Sequence, residues 1–292
     1  MEDVYDIAGI SRQGYHSSCR RAELKTSLKE SILSRVREAR LSHPRMGSRP
    51  LYKLLNIQGM GINQFEKLLS SEGMGIKIKR NKYKTTDGSK YKDGSTNLLN
   101  GKEVNSINDV WVSDITYFPV KDKTFYIIII MDVYSRKILA CDIFNNMLAD
   151  NNIQLLKQAL KHRKLRANDN KLNLIHHSDK GSQYTSRDYK KILSDFGVKV
   201  SIAENSLQNG YAERINSTIK NDYLNFHKSE DLKVLRRNLK HCVWLYNNER
   251  PHSSLDYLSP VAFEQSLPAD QKAVGEKMIL YDFTKDCVIE FF

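Results

Sequence analysis

Four consecutive isoleucines, Ile127 to Ile130, lie inside an unbroken apolar run from Phe125 to Met131. Successive side chains of a strand point to opposite faces of a sheet, so a run like this suits a strand buried on both sides. A strand with cover on both sides implies a layered α/β domain, a sheet flanked by helices. The run is also the longest apolar one in the chain. It falls well short of the roughly 20 residues a membrane helix needs, so no membrane association is expected.

The segments around this strand extend the pattern. Val110–Phe118 is expected as a strand before it and Lys137–Phe144 as one after it. Then come a helix over Ala149–Arg163, a strand over Leu172–His176, a helix over Ser186–Phe196 and a strand over Val198–Ile202. Helices follow at about Tyr211–Asn225 and Asp231–Asn247. This β-β-β-α-β-α-β-α order resembles the ribonuclease H-like fold, a mixed sheet flanked by helices. Before it, Leu28, Ile32, Leu33, Val36 and Ala39 keep helical spacing up to His43-Pro44, where proline stops the helix. Short helices are expected after Gly47 and after Gly61, with Asn63 as the cap of the latter. Helices joined by tight glycine turns are compatible with a helix-turn-helix module, and equally with a small bundle that binds nothing. The expected organisation is a helical region over 1–76, a basic linker over 77–106, an α/β core over 107–264 and a tail over 265–292.

Charge bears on the partner. Lys and Arg number 46 against 34 Asp and Glu, a net +12 with a pI near 9.4. Residues 1–108 hold 20 basic and 11 acidic side chains, a net +9, which leaves +3 for the remaining 184 residues. So basic a chain points to a polyanion, with nucleic acid first. Lys77 to Lys92 is rich in lysine and interleaved with Tyr83 and Tyr91. Within it Lys79, Arg80 and Lys82 are expected phosphate contacts, though a solvated tether would look the same. Asn63 and Gln64, on the helix after Gly61, are the expected base-reading positions. Four scattered cysteines and no signal-like N-terminus suit a reduced, cytoplasmic protein.

Three acidic residues stand out by context. Asp114 sits mid-strand in Trp111-Val-Ser-Asp-Ile-Thr-Tyr, where aspartate is disfavoured. Asp179 follows a strand in His177-Ser-Asp-Lys-Gly-Ser-Gln-Tyr. Glu213 lies on a helix, with Asn209, Asn216 and Lys220 along its own face. One carboxylate, two amides and a lysine suit a metal-and-phosphate surface, and also plain solvent exposure. Phosphodiester hydrolysis is very slow uncatalysed, and two hard cations that neutralise the attacking and leaving oxygens are a known remedy. Magnesium needs only a few carboxylates for this.

These segments, with Met131-Asp-Val-Tyr-Ser-Arg-Lys, Ala212-Glu-Arg-Ile-Asn and Tyr246-Asn-Asn-Glu-Arg-Pro-His-Ser-Ser-Leu-Asp-Tyr-Leu-Ser-Pro, resemble in order the blocks of a DDE transposase. The similarity is to the second reading frame of the IS-three insertion-sequence group, whose core is of the retroviral-integrase type. It covers about residues 28–264, including a helix-turn-helix element from Leu33 to Leu55. The resemblance implies that Asp114, Asp179 and Glu213 are catalytic and bind Mg2+ or Mn2+, as two ions. It implies DNA contact at Asn209, Asn216 and Lys220, and DNA contact or local structure at Arg250 and His252. Asp132, close to Arg136, is expected to be structural, and His177 to orient the Asp179 loop. Trp111 and Tyr184 are expected to pack. In one respect the chain departs from the family: 33 residues separate Asp179 from Glu213 where 35 are common.

The implied activity is metal-dependent cleavage at insertion-sequence ends followed by strand transfer, in a bacterial, nucleoid-associated protein. The implied partners are double-stranded DNA, further copies of the chain on DNA, and an upstream-frame protein or fusion. Two rivals stay open: a ribonuclease H-like nuclease without strand transfer, and a non-catalytic DNA-binding remnant of a mobile element.

Overall fold

The computed structural model describes residues 9, 11–76, 97–167, 173–203, 206–268 and 278–280. The chain divides into two compact units, Met1–Ile78 and Lys79–Phe292.

The first unit is helical: α1 (Arg12–Ser42), α2 (Ser48–Leu54) and α3 (Ile62–Ser71). The Ser11 hydroxyl caps α1 by accepting from the Gly14 N–H at 3.0 Å. Ile32, Leu33 and Val36 of α1 meet Leu51, Phe65, Leu68 and Leu69 in a small core. Only this C-terminal part of α1 is buried. The helix therefore begins well before the apolar spacing does, in a stretch with no stripe to announce it. Gly61, not Asn63, occupies the cap position of α3, and Asn63 lies inside the first turn with its side chain in solvent.

The second unit holds a five-stranded sheet of β2 (Val110–Val120), β3 (Lys123–Asp132), β4 (Ile138–Phe144), β5 (Ile175–Ser178) and β6 (Lys199–Ile202). The spatial order is β4-β3-β2-β5-β6. β2, β3 and β4 pair antiparallel, whereas β5 and β6 run parallel to β2. Three meandering strands followed by two parallel ones entering from the far side is the ribonuclease H-like order. The isoleucine run explains the layers. Ile127, Ile129 and Met131 face one core, with α7 (Gly210–Ser217) and α8 (Leu232–Asn248). Ile128 and Ile130 face another, with α4 (Ala149–His162), α5 (Ser182–Thr185) and α6 (Arg187–Asp195).

Several features differ from expectation. The fourth strand of the sequence reading lies about three residues further on, at Ile175–Ser178, where polar His176, His177 and Ser178 are all buried. A second sheet pairs β1 (Lys102–Val104) with β7 (Met278–Leu280), and Leu99 and Val104 join the core. Those residues fall in stretches read as linker and tail. The chain adds α9 (Pro260–Ser266), capped by the Ser259 hydroxyl. After α7 the helix widens into a π-helical segment, Thr218–Tyr223, then tightens over Leu224–Phe226.

Candidate active site

The parallel ladder between β2 and β5 runs from Val110 opposite Ile175 to Val112 opposite His177. Carried two residues further, the register sets Asp114 beside Asp179, where β5 ends and β2 continues. Crevices open at such carboxyl ends of parallel strands. Asp114 is half-buried and Asp179 exposed. The Gly181 N–H donates to Asp179 Oδ1 at 3.0 Å. A Cβ on Gly181 would stand 2.9 Å from that oxygen and 2.7 Å from Gln183 Oε1, so a side chain there would make both of these side chains shift.

Beyond Val112 the β5 side of β2 is unpaired, and carbonyls there take other donors. Side chains of the Glu213 helix supply them. Asn209 Nδ2 donates to the Ser113 carbonyl at 3.2 Å, and Lys220 Nζ to the Tyr117 carbonyl at 2.7 Å. Between them, Asn216 Nδ2 donates to Asp114 Oδ2 at 2.8 Å. The face that carries Glu213 is thus tied to the strand that carries Asp114. Asn209 and Asn216 are buried, while Glu213 in the first turn of α7 stays exposed.

The electrostatics agree with this proximity. Burial pushes the Asp114 carboxyl up to about 7, with the negative charge of Asp179 next and that of Glu213 adding least; the Asn216 bond opposes the rise. Partial desolvation of the carboxylates, in residues that otherwise face solvent, also raises Asp179, against the Gly181 hydrogen bond, and raises Glu213. The rises describe a partly dehydrated place, and only Asp114 feels the charge of the other two. Among the described residues no three His, Cys, Asp or Glu side chains are gathered closely enough to hold a metal ion. The buried amide oxygens Asn209 Oδ1 and Asn216 Oδ1 have no hydrogen-bond partner. An all-oxygen donor set with unsatisfied oxygens beside it fits a hard divalent cation.

His177 is engaged on both ring nitrogens. The Leu98 N–H donates to Ser201 Oγ at 2.9 Å, which leaves that hydroxyl to donate to His177 Nδ1 at 2.8 Å. Nε2 then carries the proton and donates to the Gln208 carbonyl at 3.0 Å. Burial holds this imidazole down to about 4, so it is neutral and ties β5 to the turn before α7. Asp132 pairs with Arg163 at 3.5 Å. Arg136 instead stacks on the Tyr211 ring at 4.5 Å. Arg250 binds Asp222 Oδ2 at 3.0 Å and the Tyr223 hydroxyl at 3.3 Å, a structural engagement. His252 packs edge-on against Tyr246 and is held at about 3 by burial and by Arg250, Arg136 and Arg214. Trp111 is fully buried, and the Tyr184 hydroxyl meets Ser113 Oγ at 2.9 Å. Asn63 and Gln64 are exposed on α3; Lys79, Arg80 and Lys82 lie outside the described residues. Sequence reasoning passed over Gly181 and Ser201, whose roles rest on contacts between distant segments.

Residues 105–205 match the integrase core domain family, and residues 198–260 match a second integrase core domain family. A 31 kDa protein of insertion element IS600 from Shigella sonnei is 29% identical over 272 residues, 89% of this chain and 96% of that one. The transposase for insertion sequence element IS904 from Lactococcus lactis is 32% identical over 193 residues, covering 65% of this chain and 74% of that one. The putative transposase InsK for IS150 from Escherichia coli is 25% identical, over 64% of this chain and 65% of its own. With the strand order described above, these similarities establish that the chain belongs to the insertion-sequence transposases with an integrase core domain, enzymes of DNA transposition and integration.

Proposed function

We propose that Asp114, Asp179 and Glu213 are the catalytic carboxylates of this transposase and hold Mg2+ or Mn2+, as two ions, for cleavage at element ends and joining of the freed 3′ end. The observation that carries this reading is the meeting of three elements: the β2–β5 ladder runs to Val112 and His177, two residues short of Asp114 and Asp179, the Asp179 charge acts on Asp114, and Asn216 of the Glu213 helix is bonded to Asp114. When bound, such cations neutralise charge on the attacking and leaving oxygens of a phosphodiester. The residues' own tasks follow from their places. Asp114, on a strand locked between β3 and the helix side chains, sets the floor of the site. Asp179 is aimed by Gly181. Glu213, the most solvent-exposed in setting, closes the site from the helix. Asn209 and Asn216 act as positioning residues whose amide N–H groups tie the Glu213 helix to β2. Lys220, anchored on Tyr117, keeps its charge beside the site for a phosphate. No covalent enzyme intermediate is needed, because water and then a 3′ hydroxyl can attack phosphorus directly. The active form is an oligomer on DNA, with an upstream-frame protein or fusion as partner.

The test is cleavage and joining by Asp114→Asn, Asp179→Asn and Glu213→Gln. Each should fall by at least about 10^3-fold with duplex binding nearly intact, and double variants should be little worse, as for residues acting as a unit. Near-normal turnover by any single variant in magnesium would remove that residue from the site.

A further inference from the structure

We propose that the outer face of α8 is a binding surface for the phosphate backbone of duplex DNA, separate from the carboxylate cleft. α8 crosses β4, the outermost strand, two strands away from β2. The Asn247 amide pairs with the N–H and carbonyl of Ile138, and Arg236 with Asp142 at 2.7 Å. Away from the buried Leu235, Leu239, Cys242 and Tyr246, the outward face holds Lys233, Arg237, Lys240 and Trp244, all exposed, within about 60° of one another at 100° per residue. None of the three cations has a carboxylate partner among the described residues, and α8 itself contains no Asp or Glu. With Leu232 and Arg236 they line a shallow groove of about 510 Å³. Trp244 is 53% exposed at the end of the stripe.

This arrangement works against the helix that carries it. Lys233 lies in the first turn, where the helix dipole disfavours a cation; the Asp231 cap carboxylate, which accepts from the Val234 N–H, offsets it there, but no basic last turn complements the dipole at the other end. Lys233 and Arg237 are four apart and Arg237 and Lys240 three apart, so like charges face each other. A face shaped only by helix stability would carry the opposite distribution. A second copy of the chain would present the same positive stripe to itself, which disfavours self-association here. A polyanion relieves the repulsion. From Lys233 to Trp244 the stripe spans about 17 Å, near five base-pair steps of duplex, with a phosphate of one strand every ~3.4 Å along the axis. Strand transfer brings two DNA segments to one enzyme, so contact area beyond the cleft has a use. The inference rests on the chain's membership of the transposases and not on the carboxylate assignment.

The experiment uses the full-length chain, a random-sequence duplex and excess chelator, so its outcome is independent of whether Asp114, Asp179 and Glu213 hold metal. Binding is titrated against salt for wild type and for the triple variant Lys233→Gln, Arg237→Gln, Lys240→Gln. The log–log slope should become shallower by up to about 2.7, that is 0.9 for each lost phosphate contact. A control triple, Lys157→Gln, Lys161→Gln, Lys164→Gln, removes the same charge from another lysine-lined groove. It should change the slope much less. Of the two tryptophans Trp111 is fully buried, so acrylamide quenching reports Trp244, and duplex should shield it in the wild type. An unchanged slope with Trp244 still quenched would overturn the proposal, as would an equal shift in the control triple. Shielding of Trp244 that grows with protein concentration in the absence of DNA would assign the face to a second copy, and would overturn it too.

Discussion

Asp114 holds its proton to about 7 in the folded chain against an ordinary value of 3.8. That difference has a thermodynamic sign. Between roughly pH 4 and 7 the folded state binds a proton the unfolded chain has released, so the contribution is full below 3.8 and is lost as pH rises through about 7. In chelator at pH 8, Asp114→Asn, which mimics the neutral carboxyl at similar volume, should therefore raise Tm above wild type. At pH 5, where the wild-type carboxyl is already protonated, the gain should vanish. Magnesium should stabilise wild type and leave the variant unmoved, since only the former gains a ligand on folding. Thermal melts at the two pH values check this, and an asparagine variant less stable than wild type at pH 8 would show that Asp114 is held as a satisfied anion. The same reasoning gives Asn216 its place. Its amide steadies Asp114 without adding a positive charge, which a lysine or arginine at that position would do.

Among the elements, the end of β3, the end of α4 and α9 are joined by a buried charge network. Arg163 bridges Asp132 and Glu264, while Lys137 and Ser135 also hold Glu264, whose carboxyl lies near 2 chiefly because of Arg163, against the opposing effect of burial. Replacing Arg163 with Met should cost about 3–5 kcal/mol, because Asp132 is fully buried and would lose its ionic partner. Chemical denaturation measures it, and a loss under about 1 kcal/mol would mean that the Asn108 and Ser135 donors suffice for Asp132. Much of this layer was legible in the sequence, because it follows from local periodicity. The alternation in Ile127–Met131 announces a strand with two covered faces, and the chain order of strands and helices announces the sheet. What was not legible depends on distant partners. β1 and β7 pair across the whole domain with three residues each, too few for a pattern. β5 was read about three residues early because His176, His177 and Ser178 look like a loop. Burial is tolerated because Tyr189 satisfies His176, Ser201 and the Gln208 carbonyl satisfy His177, and Ser178 donates to the Asp179 carbonyl. At the site, the motifs picked out the three acids, but nothing local indicated that Asn209, Asn216 and Lys220 bind β2. Nor did anything local show that Arg250 is committed to Asp222.

For the whole molecule the question is how its two units share DNA. Residues 1–108 hold a net +9 and the remainder +3, so the first unit with the following lysine-rich stretch should supply most of the phosphate contacts. Leu99 and Val104 belong to the core, so a truncated chain should begin at Asn97, not at Ile107. Residues 97–292 should show weaker duplex binding, a shallower salt slope and little preference for element ends; slopes and preferences equal to those of the full chain would make the first unit a passive scaffold. The account's central claim is that the core joins DNA as well as cutting it, and joining can be measured apart from cutting. Full-length protein is given duplex element ends whose 3′ strands are already cleaved, a target duplex and magnesium, and the products are sized on a denaturing gel. The account predicts joined strands longer than either substrate from wild type and none from Asp179→Asn. Hydrolysed products alone from wild type, with no joined strand on any target, would contradict it and leave a nuclease in its place.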